Sequence, residues 1–168
     1  TVLEYVESYA SGDDGFEFFG GTVNTRYLIA AFCSDDAFDW DQGFRGQGQF
    51  WFGLQPEDEA GKGMEMDGGD DCETCMPYAI PTVVNLTLLG AGVNSTPGGD
   101  QNELALHFRD NSGGHFYSSI ISDFAADGIV IEDLASGEDS RQRLDDNELT
   151  INNVYWWGFA VGNELDSI

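Results

Sequence analysis

Apolar and polar residues alternate along most of the chain in short segments separated by Gly, Asp and Asn, a pattern typical of β-strands joined by turns. Phe16, Glu17 and Phe18 alternate strictly, and residues 22–32 are rich in β-branched and aromatic side chains. No segment sustains the periodicity of a helix over a typical helix length. The pattern therefore predicts an all-β protein.

Residues 5–21 and 27–43 repeat one segment without a gap. Tyr5 matches Tyr27 and Phe16 matches Phe38, and Phe18 aligns with another aromatic residue, Trp40. A fixed period near 20 residues indicates one supersecondary unit stacked on the next, so we predict a parallel β-helix. A β-sandwich is the alternative, because short strands at regular spacing fit it too. Neighbouring strands of a β-sandwich alternate in direction, however, so a sandwich does not explain why consecutive turns repeat.

We predict one domain over residues 1–168, which divides into three parts. Residues 1–54 form clear rungs, and the even spacing of Val6, Leu28 and Phe50 extends them to a third copy. Residues 55–81 are an acidic loop that contains a Cys-x-x-Cys motif and no predicted strand, and a loop of this length is usually functional. Regular strands resume over residues 82–168 as further rungs.

The repeat also carries a family resemblance. DDGFEFFGGTVNTRYL, followed by DDAFDWDQGFRGQGQF, resembles a segment of bacterial cell-surface and secreted proteins, often lipoproteins, that are predicted to form right-handed parallel β-helices. The likeness covers residues 1–54 and extends to residues 82–92. It implies a right-handed solenoid and an extracellular or cell-surface location, and it implies no catalytic residue.

Acidic residues dominate the charge, with 31 Asp and Glu against six Lys and Arg and a net charge of -25. Such a chain disfavours nucleic acid and anionic membranes as partners and favours cations. A solvated acidic surface is the simpler explanation. No apolar run is long enough to span a membrane, and no signal peptide is visible. The chain begins within a predicted strand, so we expect a mature piece of a longer protein.

Stacking of the repeats places carboxylates above one another. Equivalent residues of successive rungs lie about 4.8 Å apart, where like charges repel. Calcium between them would relieve that repulsion, since it takes six to eight oxygen ligands. The candidate ligands are Asp13, Asp14, Glu17, Asp35, Asp36, Asp39 and Asp41. Turn formation by Asp, without metal, remains the alternative.

The aromatic pairs of the repeat, Phe16 with Phe38 and Phe18 with Trp40, are expected inside the coil, because they alternate with acidic residues. Tyr155, Trp156 and Trp157 are better candidates for glycan binding. Consecutive strand residues cannot all face inward, so we predict that at least one of the two tryptophans faces outward.

Three cysteines are too few for a disulfide scaffold. Cys72 and Cys75 form the Cys-x-x-Cys motif, flanked by Asp70 and Asp71, and we predict a local disulfide bond in an oxidising compartment. A metal site that includes loop carboxylates, or a redox role, stays open. Cys33 aligns with Ser11 and is expected to be a small buried residue.

Whether the chain is an enzyme stays uncertain, and we expect that it is not. A polysaccharide-cleaving β-helix needs a base beside a groove, and Arg109, Arg141 and Arg143 are the candidates, with His107 and His115 nearby. The acidic field repels polyanionic substrates unless calcium bridges them. We therefore predict an extracellular structural or adhesive module, calcium-stabilised, that belongs to a longer surface protein or stacks with other copies of itself into filaments. The alternative is a carbohydrate-binding or polysaccharide-cleaving module.

Overall fold

The computed structural model describes residues 1–69, 72–96 and 104–164 and contains two β-sheets, with strands numbered β1 to β14 along the chain. Sheet A holds β1 (Val2–Tyr9), β3 (Asn24–Ala31), β5 (Gln47–Leu54), β7 (Thr82–Val84), β8 (Thr87–Leu89), β10 (Gly114–Tyr117), β11 (Ile120–Phe124), β13 (Leu149–Asn152) and β14 (Tyr155–Phe159). Sheet B holds β2 (Phe16–Phe19), β4 (Phe38–Asp41), β6 (Met64–Asp67), β9 (Leu106–Arg109) and β12 (Ile129–Ile131).

All strand pairings within these residues are parallel. The all-β prediction is confirmed, and parallel pairing is the arrangement of a β-helix, whereas the β-sandwich alternative required antiparallel neighbours. The chain passes from sheet A to sheet B and back, so each strand pairs with its counterpart one rung later rather than with the next strand in sequence.

The first two rungs follow the predicted register. Phe16 pairs with Phe38 in sheet B, and their ring centroids lie 5.6 Å apart. Asp14 lies beside Asp36, 22 residues later. In the third rung of sheet A the offset becomes 23 residues. Leu28 consequently pairs with Trp51, and the expectation that Phe50 continues the Val6–Leu28 column was wrong, because one extra residue precedes β5.

A further correction concerns the acidic loop. Strand β6 (Met64–Asp67) lies inside residues 55–81 and pairs with β4 and β9. Its Met-Glu-Met-Asp sequence alternates just as Phe-Glu-Phe does, with both methionines fully buried. Methionine carries a weak strand signal, and acidic and glycine-rich neighbours concealed the alternation.

The further rungs predicted over residues 82–168 lie partly outside the described residues, and β9 is described from Leu106. The polar segment 134–147 contains the one helix of the described residues, α1 (Ser140–Asp145). The side chain of Asp139 caps α1 by accepting a hydrogen bond from the Gln142 N–H over 3.2 Å. No helix among the described residues has the length and apolarity needed to cross a membrane.

A column of left-handed residues bends every rung of sheet A. Their φ angles lie between 53° and 59° at Tyr5, Tyr27, Phe50, Asn85, Ser118 and Asn153. In later rungs the bend divides the strand, so that β7 and β8 both pair with β5. The bend turns two consecutive side chains outward, as at Arg26 and Tyr27, which are both exposed. This local geometry shapes the outer face of sheet A.

Stacked aromatic side chains fill the space between the sheets. Trp51 lies 4.7 Å from Phe38 and 5.7 Å from Phe18, measured between ring centroids. Its indole N–H donates a hydrogen bond to Thr25 over 2.9 Å, and the Trp40 N–H donates to Ser112 over 3.0 Å. The repeat's aromatic residues face inward, as the alternation predicted.

Candidate functional site

The acidic residues of the first two rungs come together along one edge and the outer face of sheet B. Glu17 pairs with Asp39, and Asp39 with Glu65 of the third rung. Three groups have carboxylate oxygens within 4.8 Å of one another, namely Asp13 with Asp14 and Asp35, Asp14 with Glu17 and Asp39, and Asp36 with Asp39 and Glu65. We call these residues the acidic stripe. Asp41 belongs to none of the groups and lies in the neighbouring column, beside Phe19.

Two aspartates of the stripe accept hydrogen bonds from the backbone of the following rung. A carboxylate oxygen of Asp14 accepts a hydrogen bond from the Asp36 N–H over 3.0 Å. Asp36 in turn accepts one from the Lys62 N–H of the third rung. Each aspartate thus satisfies a backbone donor one rung further along, which explains why both turns carry aspartate at this position.

Burial and mutual repulsion raise the pKa values of two carboxyl groups of the stripe, Asp36 and Asp39. Asp36 is 2% exposed, and burial together with Glu65 and Asp35 raises its pKa to about 8. Burial and the neighbouring Asp14 and Asp36 raise the pKa of Asp39 to about 9. One oxygen of Asp39 is buried without a hydrogen-bond partner in the described residues. Asp36 and Asp39 therefore hold a proton more tightly than an exposed aspartate does.

Next to the acidic stripe, the third and fourth rungs supply cations, Lys62 and Arg109. Glu65 lies 2.9 Å from the Lys62 ammonium and 3.0 Å from the Arg109 guanidinium. Burial alone would raise the pKa of Glu65, but the neighbouring His107 and Lys62 side chains, with the charge of Arg109, lower it to about 2. Sequence reasoning missed Glu65 because it lies in β6, where no strand was predicted.

The candidate bases are held by carboxylates. Arg109 donates hydrogen bonds to Asp67 over 2.6 and 3.0 Å, and these bonds raise its pKa. A guanidinium that holds its proton more firmly is a poorer base. Arg141 pairs with Asp145 on the surface of α1. His115 contacts Thr150 over 2.9 Å.

Arg143 forms a buried clamp. Its side chain is 7% exposed, and it donates hydrogen bonds to Glu148 over 2.6 Å and to Glu138 over 2.9 Å. The guanidinium also lies 4.5 Å from the Tyr78 ring centroid. Arg143 therefore joins α1 to the segment that follows the cysteine loop, residues 72–75. This geometry is that of a structural residue rather than a base.

We expect Arg143→Met to lower the free energy of unfolding by about 1–3 kcal/mol, since charged hydrogen bonds are lost from a buried position. Arg141→Met is the matched control on the same helix and should cost about 0–1 kcal/mol, because its ion pair is exposed. Urea unfolding followed by circular dichroism measures both. Equal costs for the two variants would contradict the clamp.

The cysteine loop brings a second acidic group together. Cys72 and Cys75 are joined by a disulfide bond, and Cys33 is a free, buried cysteine. Oxygens of Glu73, Asp110 and Glu132 lie within 4.8 Å of one another. Burial, followed by the charge of Glu132, raises the pKa of Glu73 to about 7. No sequence pattern indicates this group, since its members come from three separate segments. Asp70 and Asp71 lie outside the described residues.

The outer face of sheet A carries the glycan-binding candidates. Tyr155 is 59% exposed and Trp157 is 56% exposed. Trp156 faces inward, where its ring lies 6.0 Å from that of Phe159. The alternation thus separates the three candidates into two outward side chains and one core side chain, in agreement with the expected outward tryptophan.

Comparison with known proteins gave one result. No curated protein and no solved structure matched the chain. A family model described as a pectate-lyase-like β-helix domain matches residues 1–165. That range includes both sheets, the cysteine loop and α1, so the match agrees with the parallel architecture over the whole described fold. The chain belongs to the family of pectate-lyase-like β-helix domains.

Proposed function

We propose that this chain is an extracellular, right-handed β-helix module with an adhesive role, and that it binds polysaccharide without cleaving it. The observation that carries the proposal is the exposure of Tyr155 and Trp157 on the outer face of sheet A. Large exposed aromatic side chains on a rigid sheet are suited to stacking against sugar rings, because their apolar area costs little conformational entropy to immobilise.

Two further observations favour binding over cleavage. The family is named for its likeness to pectate lyases, which relates the chain to polysaccharides in general. The three arginines considered as bases are each held in ion pairs, so none is presented as a free base within the described residues. A fold alone does not assign an activity, and these contacts favour a binding module.

The adhesive proposal predicts that immobilised polysaccharides capture the full chain, and that Trp157→Ala and Tyr155→Ala each weaken capture by about tenfold, as expected for an aromatic residue at a binding surface. Phe19→Ala is the matched control, because Phe19 is 58% exposed but belongs to sheet B. A glycan array followed by biolayer interferometry provides the measurement. Failure of the chain to bind any polysaccharide would contradict the proposed function.

We also propose that the acidic stripe binds calcium. The first two rungs bring carboxylates together with no lysine or arginine ion pair among Asp13, Asp14, Glu17, Asp36 and Asp39 in the described structure. Oxygen-rich, flexible sites of this kind suit calcium. The buried oxygen of Asp39 that lacks a partner would be satisfied by such an ion. Calcium binding would couple stability to metal concentration.

We further propose that the chain stacks end to end with another copy of itself or with further rungs of a longer solenoid. Strands β1 and β2 lie at one end of their sheets, and β12, β13 and β14 lie at the other. Parallel edges of this kind can pair with another copy or with further rungs of a longer solenoid.

A further inference from the structure

A ridge of three aromatic side chains crosses the outer face of sheet A at its first three rungs. Tyr5, Tyr27 and Phe50 stack face to face, with ring centroids 4.7 and 5.3 Å apart and interplanar angles of 17° and 1°. Their exposed fractions are 74%, 36% and 43%. The ridge is thus ordered by its own contacts and still open to solvent along the ring edges.

The backbone of the ridge is strained. All three aromatic residues have φ angles between 55° and 57°, in the left-handed region that side chains rarely adopt. Asn85, Ser118 and Asn153 occupy the same column in later rungs, and asparagine tolerates this conformation better than an aromatic residue does. Strain of this kind is commonly kept where the side chain has a function. We therefore expect the aromatic residues of the first three rungs to have a function.

A polar groove of about 510 Å³ lies on one side of the ridge. Asn24 pairs with Gln47, and Arg26 pairs with Gln49, so the four side chains form a patch two residues wide and two rungs deep. Gln47 and Gln49 are exposed, and their side-chain amides form no hydrogen bond with the described protein. An amide offers both donors and an acceptor, which complements the hydroxyl groups of a sugar.

This face also lacks the charge of the rest of the molecule. Arg26 is paired with Glu4 over 2.7 Å, so that the groove carries no net charge from these two residues. On the other side of the ridge, a second groove of about 450 Å³ is lined by Tyr27, Ile29, Phe50 and Phe52, with Glu7 as its one charged lining residue. In a chain with a net charge of -25, an acidic polymer has little to attract it here.

We infer that this ridge and its polar groove bind an uncharged polysaccharide, whose hydroxyl groups bond to Asn24, Gln47 and Gln49 while its C–H surfaces lie against the aromatic edges. The inference rests on the proposed function and adds the ligand class and a second contact region, away from Tyr155 and Trp157. Rungs repeat every ~4.8 Å, so a polymer that crosses them meets a regular series of contacts.

The test compares neutral polymers, a mannan and a β-glucan, with acidic ones, polygalacturonate and alginate, by biolayer interferometry on the full chain. Two variants address the surface: Gln47→Ala combined with Gln49→Ala, and Tyr27→Asn, which suits the left-handed backbone. Each should weaken capture by neutral polymers about tenfold, the factor of about one lost interaction. Gln142→Ala on α1 is the control and should leave capture unchanged. Circular dichroism verifies that each variant is folded.

Three results would overturn the inference. The first is capture of the chain by acidic polymers alone. The second is that Trp157→Ala loses capture while the ridge and groove variants keep it. Either result would leave the proposed function intact and remove this surface from it. The third is that no polysaccharide captures the original chain, and that the chain self-associates in a way that Tyr27→Asn abolishes. This result would assign the ridge to contact with a second copy and overturn both proposals.

Discussion

Replacing Asp39 by Asn is expected to stabilise the protein at about pH 8 when divalent cations are absent and to weaken its response to calcium. Asp39 is surrounded by carboxylates, and burial together with Asp14 and Asp36 raises its pKa to about 9. Asparagine has the same shape, carries no charge, and can donate hydrogen bonds to the neighbouring Glu17 and Glu65. The substitution therefore removes the free-energy cost of keeping a proton on this group and replaces a charged calcium ligand by a neutral one.

The sign follows from proton binding. An unfolded chain loses the proton of Asp39 near the ordinary value of 3.8, whereas the folded chain keeps it up to about pH 9. Stability contributed by this group is therefore complete at lower pH and is lost as the pH rises through that window. Relative to Asp39→Asn, the original chain should lose stability as the pH rises, by at most about 1.4 kcal/mol for each pH unit. Asp36, whose pKa is raised to about 8, adds a loss of the same sign.

Calcium should oppose this loss in the original chain. A ligand present at about 100 times its dissociation constant adds about 2.7 kcal/mol of stability, and Asp39→Asn should gain distinctly less. Thermal melts with EGTA and with calcium, repeated across the pH range, measure both effects. Asp58→Asn is the control, because Asp58 is an exposed acid in the segment between β5 and β6. If calcium leaves the melting temperature of the original chain unchanged, the calcium proposal fails.

The sequence allowed the parallel stack to be predicted because the first repeat has no gap. Phe16 with Phe38 and Glu17 with Asp39 are in register in sheet B, and the same offset holds in β1 and β3 of sheet A. Identical or similar side chains at several equivalent positions indicate this register. The acidic stripe followed from it, since stacked turns place Asp14 next to Asp36.

What the sequence concealed came from changes in rung length. The step from Asp36 to Lys62 spans 26 residues instead of 22, so β6 fell out of the repeat. Arg109, which pairs with Asp67 of β6, lies 42 residues further along the chain, and no local sequence pattern reveals a pair so far apart. The aromatic ridge was equally hidden, because Phe50 aligns with Tyr27 only when the extra residue before β5 is counted.

Trp51→Ala is expected to be the most damaging single substitution in the core, with a loss of about 3–5 kcal/mol. Its side chain is 1% exposed, stacks on Phe18 and Phe38, and donates a hydrogen bond to Thr25. Trp157→Ala is the matched control on the same sheet, since Trp157 is 56% exposed. It should change stability by no more than about 0.5 kcal/mol. Urea unfolding followed by circular dichroism measures both substitutions.

A second substitution tests the register that places Trp51 in the core. Gly48 lies three residues before Trp51, and a Cβ at this position would come 2.4 Å from the indole ring. Gly48→Ala should therefore cost about 1–3 kcal/mol in the original chain. The nearest atom, Cζ2, lies beyond the reach of a phenylalanine ring, so the cost should fall in the Trp51→Phe background. This coupling, measured as a double-mutant cycle, is a direct consequence of the contact. Additive effects of the two substitutions would mean that Gly48 does not face Trp51, and the assigned packing of the third rung would be wrong.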